Sequence, residues 1–143
     1  MSNFKSTEIT IYNQKIDENS STKNVPLGTI IKAIDKDTTD YGIGEFIYLK
    51  GVASTVIGSA VVYNADDFST TLASANAVGP VAFAMAATVA NEYGWYQIGG
   101  KAVGKVAASF ADNADCYLTS TAGTIDDADV AGDYIRRCKG ASA

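Results

Sequence analysis

At 143 residues the chain suits a single domain, able to bury roughly two thirds of the surface that its unfolded form exposes. Only 19% of its residues are charged, below the roughly 25% usual in soluble domains, so part of the surface is expected to be covered by other subunits. A net charge of -5 withholds the counterion release that drives binding to nucleic acid and to anionic membranes, and neither is an expected partner.

In chain order, residues 7–12 (TEITIY) alternate polar and apolar and read as a short strand, with Ile9 and Ile11 on one face and Tyr12 on the other. Residues 13–24 carry one aliphatic side chain and read as a linker or long loop, closed by Pro26 and Gly28. Residues 1–27 are therefore expected to be arm and linker, and 28–143 the compact domain. Strands are expected at 29–34, 45–50, 58–63 and 68–72, each bounded by polar or glycine-containing turns. Within 81–86, Val81, Phe83 and Met85 fall on one side of an extended chain and three alanines on the other. Residues 91–94 supply a turn, 95–98 return beside the first run, and 101–106 alternate again, which predicts a three-stranded meander at the centre of the core. Beyond it come one helical turn at 107–111, a strand at 116–119, an acidic loop at 124–130 and a last segment at 133–139. No stretch carries the apolar spacing of a helix longer than about ten residues. The predicted fold is mainly β: a compact antiparallel β-sandwich or barrel with an extended N-terminal arm.

Chemistry is conspicuous by what is missing. The chain has no histidine, which removes the usual nucleophile activation, histidine metal sites and the common general base. No catalytic set, metal site or cofactor is expected. Asp35, Asp37 and Asp40 suggest a calcium loop, but such a loop requires glycine at its sixth position and glutamate at its twelfth, where Asp40 and Phe46 stand. Asp126, Asp127 and Asp129 read as a second solvated acidic turn, with weak cation binding as the alternative. Gly42-Ile43-Gly44 begins a dinucleotide fingerprint whose third glycine is replaced by Ile47, and a strand follows where a helix is needed. Cys116 and Cys138 lack the spacing of a redox or zinc pair and read as small core residues. Tyr93, Trp95 and Tyr96 form an aromatic group that suits a core or subunit interface better than a ligand platform, because alternation puts Trp95 and Tyr96 on opposite faces. No run approaches the ~18 apolar residues of a membrane span, and the first five residues lack the apolar stretch of a signal peptide.

Three runs carry a resemblance: GEFIYLKGVAS at 44–54, VGPVAFAMAATVANEYGWYQIGGKAVGKVAASFADNA at 78–114 and TAGTIDDADVAGD at 121–133. Together they resemble the small capsid-decoration, or cement, proteins of tailed bacteriophages, most specifically across NEYGWYQIGGKAVGK at 91–105. The resemblance implies a non-enzymatic, mostly β protein, made in the host bacterial cytoplasm and bound to the outer surface of the phage head. It implies a homotrimer placed where capsomers meet, with the major capsid protein as partner and stabilisation of the shell as its task. On this reading Phe4, Ile9, Ile11 and Tyr12 are the capsid-binding candidates, adding a strand to the shell protein; the alternative is that residues 7–12 are the first strand of the domain's own sheet. Val81, Phe83, Met85, Tyr93 and Trp95 are the trimer-interface candidates. A glycan-binding or host-adhesion module and a structural shell or tail-tube subunit remain the alternatives.

Overall fold

A computed structural model describes residues 4–6, 14–37 and 40–141. Among these residues every helix or strand is a strand. In chain order they are β1 (Phe4–Ser6), β2 (Asn19–Ser20), β3 (Ile30–Asp35), β4 (Ile43–Lys50), β5 (Ala60–Tyr63), β6 (Thr70–Leu72), β7 (Val81–Ala84), β8 (Tyr93–Gly99), β9 (Asp115–Leu118), β10 (Ile125–Asp126) and β11 (Tyr134–Lys139).

The larger sheet runs β1-β3-β4-β8-β7-β5-β6, with β2 added on β8, and the smaller runs β10-β9-β11; all named strand pairs are antiparallel. Alternation sorts the side chains of the larger sheet onto two faces. Tyr48 lies opposite Trp95 and Phe83 opposite Gln97 and Ala60 on one face, while Ile47 and Ala84 both lie opposite Tyr96 on the other. The second face curls on itself. The Lys50 amide donates to Phe68 O at 3.0 Å, and Thr70 Oγ1 donates to Lys50 O at 2.7 Å, which joins the start of β6 to the end of β4. Ile47, Leu49, Val61, Ala82, Ala84 and Tyr96 fill the space so enclosed. The alanines of β7 suit this concave side because small residues let the sheet bend tightly.

The first face is covered in two parts. The smaller sheet packs Cys116, Leu118, Ile125 and Ile135 over Ala60, Val62, Val81 and Phe83. Over Phe46, Tyr48, Met85 and Trp95 lie Ile16 and Val25. The expected β-sandwich is therefore present, with one of its sheets partly rolled into a barrel.

Three expectations are corrected. Residues 14–27, read as linker, belong to the fold: β2 pairs with β8, and Gln14, Ile16 and Val25 are buried. Composition misled here because two aliphatic side chains, correctly spaced by a turn, are enough to cap an aromatic face. Residues 101–106 form no third meander strand. Both edges of β8 are already occupied, by β4 on one side and by β7 and β2 on the other, so its successor has no edge to join. Gly100 turns the chain away at φ 85°, where a Cβ would stand 2.5 Å from Ile43 O, and Lys105 N bonds instead to Gly58 O. Residues 107–111 form no helical turn, since Ser109 is left-handed at φ 67° and Ala107 N donates to Ile125 O. The turn before β8 comes earlier than 91–94: Asn91 is left-handed at φ 65°, and Tyr93 and Gly94 already belong to β8.

Candidate functional site

Gln14 is the residue through which the N-terminal segment holds the sheet. Its Nε2 donates to Glu18 O at 3.0 Å and to Tyr93 O at 2.9 Å, and its Oε1 accepts from Tyr48 Oη at 2.5 Å and from Asn24 Nδ2 at 3.2 Å. Its carbonyl accepts the indole N–H of Trp95 at 3.2 Å. A buried amide can be satisfied by about four partners, and the side chain has all four. Asn19 Nδ2 adds a bond to the Glu92 carboxylate across β2 and the β7–β8 turn.

The interface candidates separate under this geometry. Trp95 is 1% exposed and edge-on to Tyr48 at 5.1 Å between ring centres, and Met85 is buried in the same cluster. Their side chains are inside the subunit, so contact with a neighbour through them would require lifting residues 14–25. Val81 and Phe83 are half-buried against the smaller sheet, and Tyr93 is half-buried and stacked on Tyr48 at 6.4 Å. With Trp95 and Tyr96 both buried, the aromatic group offers no stacking platform at the surface. Of the capsid-binding candidates, Phe4 lies in β1, in register with Asp35 of β3, while Ile9, Ile11 and Tyr12 lie outside the described residues.

Exposed apolar side chains occur elsewhere. Ile30 and Ile43 are 56% and 58% exposed and stand on the same side of the larger sheet, where it extends past the rolled part. Between them Lys32 and Glu45 approach to 3.9 Å. Val78, at 94% exposure, caps the β6–β7 loop.

A half-open groove of about 1380 Å³ lies between the β7–β8 face, the loop after β8 and β11. Val81, Phe83, Val103, Phe110 and Ile135 give it an apolar lining. Gln97 sets one wall, since its Nε2 donates to Gly99 O at 2.9 Å and Lys101 O at 3.0 Å and thereby fixes the loop. Lys101, Arg136, Arg137 and Lys139 line it, and among the described residues no aspartate or glutamate does. Lys139 is paired with Asp115 at 2.6 Å, and Lys101 lies over the Tyr41 ring at 5.8 Å. The free thiols of Cys116 and Cys138 also line the groove, close enough to affect each other's ionisation. Burial, aided by Cys138, pushes the Cys116 thiol up from 9.0 to about 12, and burial also raises Cys138.

The acidic turns are locally satisfied. Asp126 Oδ1 accepts from the Asp127 amide at 2.8 Å and Asp127 Oδ2 from the Ala111 amide at 2.8 Å. Among the described residues no group of three or more His, Cys, Asp or Glu side chains is placed to hold a metal ion. Gln14, Arg136 and Arg137 were not singled out by sequence: the partners of Gln14 lie up to 81 positions away, and two arginines in a short run look like an ordinary solvated strand end.

No protein-family model, no curated protein and no solved structure matches this chain.

Proposed function

We propose that this is a non-enzymatic decoration protein of a phage head, bound to the outer face of the shell as a homotrimer and stabilising contacts between capsomers. The observation that carries the reading is the stretch at 91–105, NEYGWYQIGGKAVGK, where the resemblance to cement proteins is most specific. In the fold this stretch is β8 with the turn before it and the loop after it, the strand to which β2, β4 and β7 all pair. A low share of charged residues and exposed isoleucines on an outward sheet face suit a subunit that meets others.

Trimer contacts are assigned here to the Ile30 and Ile43 face, because Trp95 and Met85 are used inside the subunit and Tyr93, Val81 and Phe83 stand on the opposite face of the larger sheet. The arm, residues 1–13, is the shell-binding element. Its residues 4–6 adopt strand pairing along β3, the main-chain contact that an arm would extend onto a sheet edge of the major capsid protein. Three arms on one trimer raise effective concentration, so modest contacts by each give firm attachment.

The test is the solution mass by light scattering, followed by sedimentation with undecorated phage heads. A trimer that co-sediments supports the reading. A monomer that stays in the supernatant overturns it.

A further inference from the structure

The two cysteines of the chain are brought side by side by the bulge in β11. At its start this strand sets Tyr134 opposite Tyr117 and Ile135 opposite Cys116; after the bulge, Lys139 stands opposite Asp115. Antiparallel strands run in opposite directions, so one step back from Lys139 and one step on from Asp115 bring Cys138 to Cys116. Cys116 thus meets two residues of β11, Ile135 before the bulge and Cys138 after it. Arg137, left-handed at φ 59°, turns the chain between them, and Gly140 N bonds to Ala114 O at 3.0 Å to carry the second register onward. The Lys139–Asp115 ion pair at 2.6 Å fastens the adjoining step. Both cysteine side chains lie on the same side of the sheet, since they pack in one apolar cluster and line the same groove. After burial, the largest influence on the ionisation of each thiol is the other thiol.

Directly opposite residues of an antiparallel pair have Cα atoms about 4.5–5.5 Å apart, within the span of about 4.4–6.8 Å that a disulfide bridges without moving the backbone. We propose that Cys116 and Cys138 are a redox modification site, at which the folded chain forms an intrachain disulfide with a small-molecule disulfide as the oxidant. Cys138 is half-buried at the groove whereas Cys116 is 1% exposed, so the reaction starts at Cys138. Its thiol gives up a proton and attacks one sulfur of the reagent; a bond to Cys138 forms as the reagent's own S–S bond breaks, and the first reagent thiolate leaves and takes up a proton. Cys116 then gives up its proton, attacks the Cys138 sulfur and displaces the second reagent thiolate, so two protein thiols are oxidised and one reagent disulfide is reduced to two thiols. The groove is open enough to hold the mixed disulfide, and the second attack takes place inside the sheet, where Cys116 needs no access to solvent. A chain kept where thiols are reduced carries the open form and gains the bond on passing to an oxidising medium. The bond closes residues 117–137 into a loop and braces the sheet that covers Val62, Val81 and Phe83, so the oxidised chain is harder to unfold.

The experiment incubates the full, folded chain with oxidised glutathione at pH 8 until the free-thiol count stops changing, blocks the remaining thiols with N-ethylmaleimide and digests with trypsin. Cleavage after Lys105, Arg136, Arg137 and Lys139 puts the cysteines in separate peptides, 106–136 and 138–139, so the bond is read as their joined mass. The expected result is the joined pair, from chains that run singly on a non-reducing denaturing gel and keep the parent's circular dichroism. Their urea midpoint should exceed that of the reduced chain and fall back when dithiothreitol is added. Cys138→Ser should yield no joined peptide and leave Cys116 a free thiol over the same time. Glutathione retained on either cysteine as the end product, a cross-link between chains, two thiols still free, or a joined chain whose midpoint is not raised each overturns the proposal, and all four are read on the parent chain without any variant.

Discussion

Gln14 illustrates how much a single polar side chain can hold when it is buried. Replacing it with alanine removes the acceptor for the Tyr48 hydroxyl and the donor to Tyr93 O, and leaves both groups inside the protein. Stranding buried polar groups costs about 1–3 kcal/mol each, so Gln14→Ala is expected to lower unfolding free energy by about 2–4 kcal/mol in urea titration. The Trp95 indole bonds to the main-chain carbonyl of residue 14, which alanine keeps, so Trp95 emission should shift to longer wavelength only as far as losing the side-chain bonds lifts the segment off the sheet. An unchanged midpoint would show that water enters and takes over these bonds. Trp95 was read correctly in one respect and missed in another. Period two put it on the face opposite Tyr96, and the strand obeys that. What alternation does not reveal is that both faces of β8 are covered, since an outward face and a face capped by a remote segment have the same local pattern.

At the level of elements, the strands whose signal was local were legible: β3, β4, β5 and β8 fall where β-branched and aromatic runs between turn residues put them. Two elements were not. The run at 101–106 has the alternation of a strand, but pairing is decided by which edges are vacant, and that depends on β2, β4 and β7. The strap at 14–25 has little hydrophobicity, yet Ile16 and Val25 close the aromatic face. Its role makes a sharp prediction from two truncations. A chain beginning at Gln14 loses the arm and β1 but keeps the strap, and should retain the parent's Trp95 emission and nearly all of its stability. A chain beginning at Gly28 also uncovers Tyr48 and Trp95 and gives up two buried aliphatic side chains, worth about 1.5–3 kcal/mol each. It should unfold several kcal/mol more easily in urea, with Trp95 exposed. Equal stability of the two truncations would return 14–27 to the status of a linker. The arm's contribution to head binding is then measured only with the first truncation, whose fold is intact.

Across the whole molecule, exposed apolar surface and buried titrating groups set the remaining expectations. Ile43→Glu on the outward β3–β4 face introduces a charge opposite Ile34 and near Glu45. If that face joins subunits, the variant should elute as a monomer in size-exclusion chromatography while keeping the parent's circular dichroism; a trimer of unchanged mass would move the contact elsewhere. The second expectation concerns alkaline pH. Tyr48, Tyr63 and Tyr96 are all raised above 10.0, first of all by burial, and Cys116 and Cys138 are raised above 9.0 for the same leading reason. Each of these groups is neutral when protonated, and burial penalises its anion. Unfolded, they lose protons from about pH 9 to 10 upward; folded, they hold them longer, with Cys116 at about 12. Between those limits the native state binds more protons than the unfolded state, so stability must fall as pH rises. The contribution is complete below pH 9 and is lost progressively as pH climbs through the folded values. Urea midpoints should therefore be level from pH 7 to 8.5 and decline steeply above pH 10. Iodoacetamide should leave Cys116 unmodified in the native protein at pH 8 and modify it once urea has unfolded the chain. Rapid native labelling of Cys116 would mean that the thiol is open to solvent and that the two sheets separate there.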